Sequence, residues 1–236
     1  MNQRDLGSAE FIRAHLMGPS SLVIIEELTA DLPLHKGMRV LDLGCGTGLT
    51  SIFLAQRFGV TVFAADLWIS ATDNYQRFRE FGLDGQIVPI HADARSLPFA
   101  NAYFDAVISI DAYQYFGGNE HYLDSHLSPL VKEGGLLAIA VPGLKREYSG
   151  GLPEALQPFL PSETEEIHWH TCRWWRELWE PSPHVTVESV REMHCFSKAW
   201  HEWLQCDNDH ARGNIPLLHA DDGKYMNLIS ITATKV

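Results

Sequence analysis

Apolar and polar positions alternate in a regular order along the first 143 residues of the chain. Short runs rich in β-branched residues predict strands. The stretches between them, where apolar residues return every three or four positions, predict helices. The predicted strands lie near residues 39–43, 60–66, 86–91, 104–110 and 135–141, and the predicted helices near 9–30, 49–58, 71–81 and 122–131. Strands that alternate with helices favour a doubly wound, mostly parallel α/β sheet.

A different pattern begins near Gly143. Prolines at positions 142, 153, 158 and 161 interrupt a glutamate-rich segment, and two further strands near 185–190 and 225–234 enclose a helix near 196–207. We interpret residues 1–236 as a single domain with N-terminal helices at 1–30, a cofactor-binding core at 37–143, an insertion at 143–182, and C-terminal strands and a helix at 183–236. The N-terminal helices and the insertion are together called the lid.

Composition and charge narrow the functional classes. The chain has 236 residues, of which 45% are hydrophobic and 20% charged, as in a globular protein, and no apolar run reaches the length of a membrane span. Its net charge of −12 disfavours nucleic-acid binding, which depends on phosphate neutralisation, and suits small neutral or cationic substrates. The polar first ten residues and the lack of paired cysteine spacing predict a cytoplasmic protein with reduced thiols.

Three glycines end the first core strand. Gly44, Gly46 and Gly48 follow the run at 40–43, and a helical pattern begins at once, with Thr47 as its expected N-cap. A strand, a glycine turn and a helix in this order let backbone N–H groups approach a ligand without interference from Cβ atoms.

The spacing of this turn excludes two common nucleotide sites. A dinucleotide-binding turn requires a third glycine where this chain has Leu49, and no Gly-Lys-Ser/Thr follows for a P-loop. Asp42 precedes the turn, where its charge repels a pyrophosphate and suits a ligand with an ammonium group.

Carboxylates follow two further strands. In an open α/β sheet, ligands bind beyond the carboxyl ends of the strands. Asp66 can accept both hydroxyls of a ribose there, or alternatively cap the next helix. Asp93 can accept a hydrogen bond from an adenine amine, or alternatively serve only in a turn.

Four segments in this order resemble one enzyme family. The segment 42–48 resembles motif I of the class I S-adenosylmethionine-dependent methyltransferases, with Asp66 and Asp93 after the next two strands. The segment 104–111 resembles motif IV, and 132–136 resembles the Pro-Gly-Gly strand entry with Glu133 in place of proline. The resemblance implies a Rossmann-like, mostly parallel seven-stranded sheet with an antiparallel last strand and a helical lid.

The resemblance also implies a cofactor, S-adenosyl-L-methionine, with S-adenosyl-L-homocysteine as its product. The implied cofactor-binding residues are Asp42, Gly44, Cys45, Gly46, Gly48, Asp66, Leu67, Asp93, Ala94 and Ile110. In the family's arrangement the glycines lie under the methionine moiety, and Asp42 orients its ammonium group directly or through water. Leu67 packs on the adenine in the same arrangement. No resident metal is expected.

The implied reaction is methyl transfer to an N, O or S atom of a small metabolite by in-line displacement. Candidates for assisting deprotonation are Asp111, Tyr115 and His121, which follow the fourth strand. Methyltransferases of nucleic-acid bases and glutamine amides carry Asn/Asp-Pro-Pro-Tyr/Phe at this place. This chain has Asp111-Ala112-Tyr113-Gln114, which disfavours those acceptors. Alternatively, Tyr115 and Phe116 only pack against the following helix.

Aromatic and histidine residues cluster in the C-terminal third, which holds six of the seven tryptophans. These tryptophans could wall a pocket for a cationic amine or a flat ring, or they could pack the core. His168, His170 and Cys172 alternate as on one strand face, but no His-x-x-x-His or Cys-x-x-Cys pair supports zinc. The two histidines could instead bind substrate or accept a proton. In the N-terminal helices, the segment 15–20 resembles the lid entry of small-molecule methyltransferases, and Gly18-Pro19 could form a hinge or break the helix.

Three other functions share parts of this pattern. The first is a non-catalytic S-adenosylmethionine-binding regulator on the same fold. The second is an NAD-linked oxidoreductase, which Leu49 and the lack of a Tyr-x-x-x-Lys motif disfavour. The third is another use of the sulfonium, such as cyclopropanation or aminopropyl transfer. The sequence predicts the methyl donor, and it leaves the acceptor and the oligomeric state open.

Overall fold

A seven-stranded sheet runs through the centre of the structure, a computed structural model that describes residues 6, 8–148, 152–159 and 168–236. The strands are β1 (Arg39–Leu43), β2 (Thr61–Asp66), β3 (Ile87–His91), β4 (Phe104–Ile110), β5 (Val131–Leu144), β6 (Val185–Glu192) and β7 (Met226–Lys235). Their spatial order is β3-β2-β1-β4-β5-β7-β6. β1 to β5 pair in parallel, and β7 runs antiparallel to both β5 and β6. The predicted Rossmann-like, mostly parallel sheet with an antiparallel last strand is confirmed.

Helices cover both faces of the sheet. They are α1 (Ala9–His15), α2 (Ser21–Thr29), α3 (Leu49–Phe58), α4 (Ala71–Glu80), α5 (Cys172–Trp179), α6 (Phe196–Leu204) and α7 (Asp209–Asp221). Successive residues of β1 point to opposite faces, so that Val40 belongs to the core that includes α2, α3 and α6, whereas Leu41 belongs to the core that includes α5. Burial on both faces explains the near-continuous apolar runs of the central strands.

The N-terminal helical pattern divides into two helices. α1 ends at His15 and α2 begins at Ser21, with Gly18 and Pro19 between them. Of the two predicted alternatives, the helix break is therefore observed. Residues 16–20, which join the two helices, are called the connector below.

The start of α3 differs from the prediction. Gly48 is the N-cap residue, in a left-handed conformation with φ +84° and without a side-chain cap. Thr47, the predicted N-cap, uses its hydroxyl to donate to the backbone oxygen of His15 at 2.6 Å. The prediction was wrong because a tertiary contact occupies the hydroxyl group.

In the second half of the chain, one helix prediction was wrong and one helix was not predicted. The predicted helix at 122–131 is a π-helical turn at Leu123–Leu127 followed by a 3₁₀ turn at Ser128–Leu130, where Pro129 lacks the N–H that an α-helix needs. α7 was not predicted, since Gly213 and Pro216 lie inside it and both are unfavourable in helix interiors.

The C-terminal tryptophans pack the core. Trp175 and Trp179, four positions apart on α5, are both fully buried, and Trp203 of α6 is nearly so. Cys172 begins α5, so the predicted strand that aligns His168, His170 and Cys172 is absent from the described residues. Within that described part, no group of three or more histidine, cysteine or acidic side chains is arranged to hold a metal ion. The predicted insertion at 143–182 lies partly outside the described residues, at 149–151 and 160–167.

The four cysteines carry free thiols. Across the described ranges, no helix has both the length and the apolar composition that crossing a membrane requires.

Candidate active site

A cavity of about 220 Å³ lies beyond the carboxyl ends of β1, β2 and β4. This is the edge at which open α/β sheets bind ligands. The predicted site residues that line it are Gly44, Cys45, Gly46, Asp66, Leu67, Asp93, Ala94, Ile110, Asp111 and Tyr115. Asp42, Gly48 and His121 are not among the lining residues.

The glycine turn forms one wall of this cavity. Gly44 and Gly46 have φ values of +74° and +53°, in the left-handed region that favours glycine. A Cβ atom on Gly44 would lie 2.2 Å from the Cβ atom of Ala112, so no side chain fits there. The absence of a side chain at Gly44 therefore lets the turn pass close to Ala112.

Gly48 has a packing role. A Cβ atom at this position would lie 2.5 Å from the Phe78 ring of α4, and φ is +84°. The third glycine thus allows α3 and α4 to approach each other.

Asp42 lies beneath the turn and is fully buried. Its Oδ2 accepts hydrogen bonds from the hydroxyls of Thr50 and Ser51, each at 2.6 Å, which anchors the first turn of α3 to β1. Its Oδ1 has no hydrogen-bond partner. Burial raises the pKa of this carboxyl to about 6, against the lowering effect of the two hydroxyls. Direct contact with a cavity ligand is not supported, because Asp42 does not line the cavity.

Asp66 connects the turns that follow β1 and β2. Its Oδ2 accepts from the backbone N–H of Gly46 at 2.7 Å, and its Oδ1 accepts from those of Trp68 and Ile69 at 2.8 and 2.9 Å. The alternative helix-cap role is not observed, since Ser70 caps α4 through its hydroxyl. The carboxylate is thus fixed in place at the wall of the cavity.

Asp93 is held by an ion pair. Its two carboxylate oxygens accept from Nε and Nη2 of Arg95 at 2.9 and 2.6 Å, and Oδ1 also accepts from the Arg95 backbone N–H at 2.8 Å. These bonds lower the pKa of Asp93. Asp93 therefore has the turn role given above as an alternative, and it also lines the cavity.

Asp111 lies in the cavity wall, just after β4. Its backbone is left-handed with φ +52°, which is strained for a residue with a side chain. Its Oδ1 accepts from Nε2 of Gln114 at 2.9 Å. Burial raises the pKa of this carboxyl to about 7, against the effect of that hydrogen bond. Asp111 can therefore gain or lose a proton near neutral pH.

Exposed apolar side chains surround the opening of the cavity. Trp68 and Tyr115 meet edge to face, with ring centroids 5.3 Å apart, and are called the aromatic pair below. Trp68 is 65% exposed and Tyr115 44%, and Met17 and Leu67 beside them are about half exposed. Sequence reasoning missed Trp68, although its position two residues after Asp66 was a usable signal. The predicted aromatic wall from the C-terminal tryptophans is not observed, since none of those tryptophans lines the cavity.

The N-terminal part of the lid covers the glycine turn. His15, Met17, Gly18, Pro19 and Ser21 line the cavity. The hydrogen bond from Thr47 to the His15 backbone oxygen joins the end of α1 to the turn. Apart from the predicted resemblance at 15–20, the sequence carried no sign of this contact.

Three predicted histidines lie elsewhere. His121 is exposed, with Nε2 3.3 Å from Glu120, and is not brought to the cavity. The His170 ring stacks on Trp174 at 3.8 Å, and the His168 ring lies against Gly118. The structure therefore offers no contact between these rings and the cavity.

Comparison with known proteins identifies a methyltransferase domain. A family model described as a methyltransferase domain matches residues 40–135. Methyltransferase GfsG from Streptomyces halstedii is 31% identical over 116 residues, which cover 49% of this chain and 41% of that protein. The O-methyltransferase resE from Aspergillus sclerotiorum is 30% identical over 115 residues, 48% of this chain and 43% of that protein. The match thus spans less than half the length of these curated relatives.

Solved structures show the same fold. Phosphoethanolamine N-methyltransferase 2 from Haemonchus contortus, in complex with S-adenosyl-L-methionine, superposes with a TM-score of 0.73 at 20% identity, covering 96% of this chain and 56% of that one. Geranyl diphosphate C-methyltransferase from Streptomyces coelicolor A3(2), in complex with S-adenosyl-L-homocysteine, gives a TM-score of 0.67 at 18% identity, covering 97% and 77%.

The residues present fit the cofactor of these proteins. The backbone of Gly44, Cys45 and Gly46 lines the cavity, and the buried Oδ1 of Asp42 beneath this turn has no hydrogen-bond partner. The strand order and the glycine turn are both consistent with the match of residues 40–135 to a methyltransferase domain. Residues 40–135 are thus similar to a methyltransferase domain, and the chain has the fold of solved methyltransferases that bind S-adenosyl-L-methionine or S-adenosyl-L-homocysteine.

Proposed function

We propose that this protein transfers a methyl group from S-adenosyl-L-methionine to an oxygen, nitrogen or sulfur atom of a small metabolite. The observation that carries the proposal is that one cavity is lined by two chemically different groups of residues. The first group includes the glycine turn and Asp66, and the second includes Asp111 and the aromatic pair. The cofactor, when bound, supplies an electrophilic methyl on its sulfonium.

The first of these two groups of residues would hold the cofactor. Gly44, Cys45 and Gly46 would lie along its methionine moiety, and Asp66 would accept a ribose hydroxyl with the one lone-pair site that its three backbone bonds leave unused. Leu67 would pack on the adenine, and Asp93 with Ala94 would face the adenine amine. Support for these roles comes from the positions of the residues along the cavity wall.

Asp111 would act on the acceptor. As a carboxylate it would take the proton of a hydroxyl, thiol or ammonium while the acceptor's lone pair forms the bond to the methyl carbon. The electron pair of the broken S–CH3 bond would stay on sulfur, and S-adenosyl-L-homocysteine would leave. A group with a pKa near 7 suits this task at neutral pH. Gln114 orients the carboxylate through its hydrogen bond to Oδ1, which leaves Oδ2 for the acceptor. Ile110 and Tyr115 would bound the space around the reacting atoms.

The surroundings of this space favour an acceptor with an apolar or aromatic body. The exposed aromatic pair and Met17 offer apolar contact area at the opening. The carboxylates of Asp66, Asp93 and Asp111 and the net charge of −12 disfavour a strongly anionic acceptor. The relative resE is an O-methyltransferase, which adds support for a hydroxyl acceptor.

Product formation tests the function. Purified protein is incubated with S-adenosyl-L-methionine and panels of phenols, amines and thiols, and S-adenosyl-L-homocysteine is quantified by mass spectrometry. We expect turnover with at least one panel and a loss of about a hundredfold or more in Asp111→Asn if a proton must be removed. Cofactor binding without turnover across all panels would favour the non-catalytic regulator. Binding of NAD in calorimetry without binding of S-adenosyl-L-homocysteine would contradict the proposal.

We also propose a cytoplasmic location. The four free thiols, two of them buried, suit a reducing compartment. Fractionation of cells that express the tagged protein tests this, and recovery from an oxidising compartment would contradict it.

A further inference from the structure

We propose that His15 binds the carboxylate of the cofactor's methionine moiety through its Nε2–H. This inference rests on the proposed function, since it presumes that S-adenosyl-L-methionine lies along the glycine turn. His15 is the last residue of α1 and lines the cavity together with Gly44 and Gly46. The sequence resemblance assigns it no role of its own.

The carboxylate of an amino-acid ligand needs a compensating partner in this cavity. Asp66, Asp93 and Asp111 line it and repel a negative group. Among the described residues of its wall, the basic side chains are those of His15 and Arg95. Arg95 already forms a two-point ion pair with Asp93, beyond the end of β3. His15 is therefore the basic group available beside the glycine turn.

Local contacts fix the orientation of the His15 ring. Nδ1 lies 2.8 Å from the backbone oxygen of Phe11, and because a carbonyl oxygen only accepts, Nδ1 must carry the hydrogen. The ring also stacks on Phe11, with centroids 4.1 Å apart, and Phe11 in turn packs against Phe81. Nε2 is then the ring atom left for a ligand, and it donates when the ring is in its imidazolium form.

The backbone of His15 is fixed to the turn itself. The Thr47 hydroxyl donates to the His15 backbone oxygen at 2.6 Å. This bond holds the end of α1 against the same turn that would carry the methionine moiety. A ring fixed at both its backbone and its Nδ1 atom loses little conformational entropy when it binds a ligand.

The test compares two ligands that differ only in the carboxylate. Calorimetry on the full-length chain measures the dissociation constants of S-adenosyl-L-homocysteine and of its decarboxylated analogue, S-adenosyl-3-thiopropylamine. The variants are His15→Ala, His15→Gln and, as a matched control, Arg13→Ala. Arg13 is a basic residue of the same helix, exposed, outside the cavity wall and close to Cys206.

We expect His15→Ala to weaken binding of S-adenosyl-L-homocysteine about tenfold, because a charge-assisted hydrogen bond is lost. Binding of the decarboxylated analogue should change less than about twofold. His15→Gln, which keeps an N–H donor of similar reach, should retain more affinity than His15→Ala. Arg13→Ala should leave both constants within about twofold of the parent.

Two results would overturn the inference. Equal losses for both ligands would mean that His15 only holds the end of α1 in place, and no loss for either would mean that it makes no contact. A parent protein that binds neither ligand would instead refute the proposed function, so the two failures can be told apart.

Discussion

Gly18 of the connector lies directly against the carboxylate of Asp111. A Cβ atom on Gly18 would come within 2.7 Å of Asp111 Oδ2, the oxygen that Gln114 leaves unbound. The connector is anchored at its start by the bond from Thr47 to His15. The proposed base and the lid are therefore in contact, and a change in one affects the position of the other.

Gly18→Ala tests this contact. The added methyl must displace either the connector or the Asp111 carboxylate, because a separation of 2.7 Å is below any carbon–oxygen contact. We expect kcat to fall about tenfold or more, as small errors in positioning are costly in methyl transfer. The midpoint of thermal unfolding, measured by circular dichroism, should fall by only a few degrees, since Gly18 is only partly buried. An unchanged kcat would show that the connector can move away from Asp111 without an effect on catalysis.

The pH dependence of turnover reports on Asp111. If its carboxylate takes the acceptor's proton, kcat/KM should fall about tenfold per pH unit below its pKa of about 7. In Asp111→Asn this acidic limb should disappear along with most of the activity. His121→Ala is the control, because His121 is exposed and off the cavity, and it should keep both the rate and the profile. If kcat/KM of Asp111→Asn still fell at acidic pH, the titrating group would be a residue other than Asp111.

The raised pKa of Asp111 also makes the stability of the protein depend on pH. Activity should rise with pH through about 7, whereas stability should fall. Folding raises the Asp111 pKa from 3.8 to about 7, so the native state holds its proton more tightly than the unfolded state does. The stability linked to this proton is fully present below pH 3.8 and is lost as pH rises through about 7. Asp111→Asn removes the buried charge and should raise the unfolding midpoint at pH 8 by about 3 °C, and by less at pH 5. A gain that is equal at both pH values would contradict this account.

The sheet was predictable because its strands are buried on both faces. A run such as residues 136–141 is apolar at nearly every position, and this local property is visible without tertiary information. The glycine turn was predictable for a similar reason, since Gly44 and Gly46 adopt backbone angles that few other residues tolerate. α7 was missed because contacts with the rest of the fold offset the cost of Gly213 and Pro216.

The surroundings of Asp111 and of the aromatic pair depend on contacts between distant parts of the chain. Trp68 and Tyr115 follow different strands, and their pairing exists only because β2 and β4 both flank β1. The contact between Gly18 and Asp111 likewise joins the N-terminal helices to β4. The sequence therefore predicts which residues sit at strand ends, whereas their exposure and neighbours require the structure.

Substitutions at two glycines of the same turn should have different effects, one on ligand binding and the other on stability. Gly46→Ala places a methyl 3.1 Å from the flexible end of Met17, at the cavity wall, and should weaken S-adenosyl-L-homocysteine binding about tenfold or more. Gly48→Ala drives a methyl into the buried Phe78 ring and should mainly lower the unfolding midpoint.

Gly37→Ala is the matched control for this pair. Gly37 has φ +97° but no atom within 4 Å of a Cβ atom, so it isolates the backbone cost of about 1–2 kcal/mol. Calorimetry and thermal unfolding are measured on all three variants. If Gly46→Ala loses no more affinity than Gly37→Ala, the turn does not contact the cofactor.

Trp68→Ala tests whether the aromatic pair contacts the acceptor. Removing a contact with an aromatic ring costs about 0.5–1.5 kcal/mol, which corresponds to a roughly threefold to tenfold rise in the acceptor's KM. We expect kcat to change little, because Trp68 does not touch Asp111 or its partner Gln114 in the hydrogen-bond network. Tyr75→Ala is the control, since Tyr75 is also exposed, on α4, but does not line the cavity. Equal effects of the two variants on KM would mean that the aromatic pair takes no part in acceptor binding.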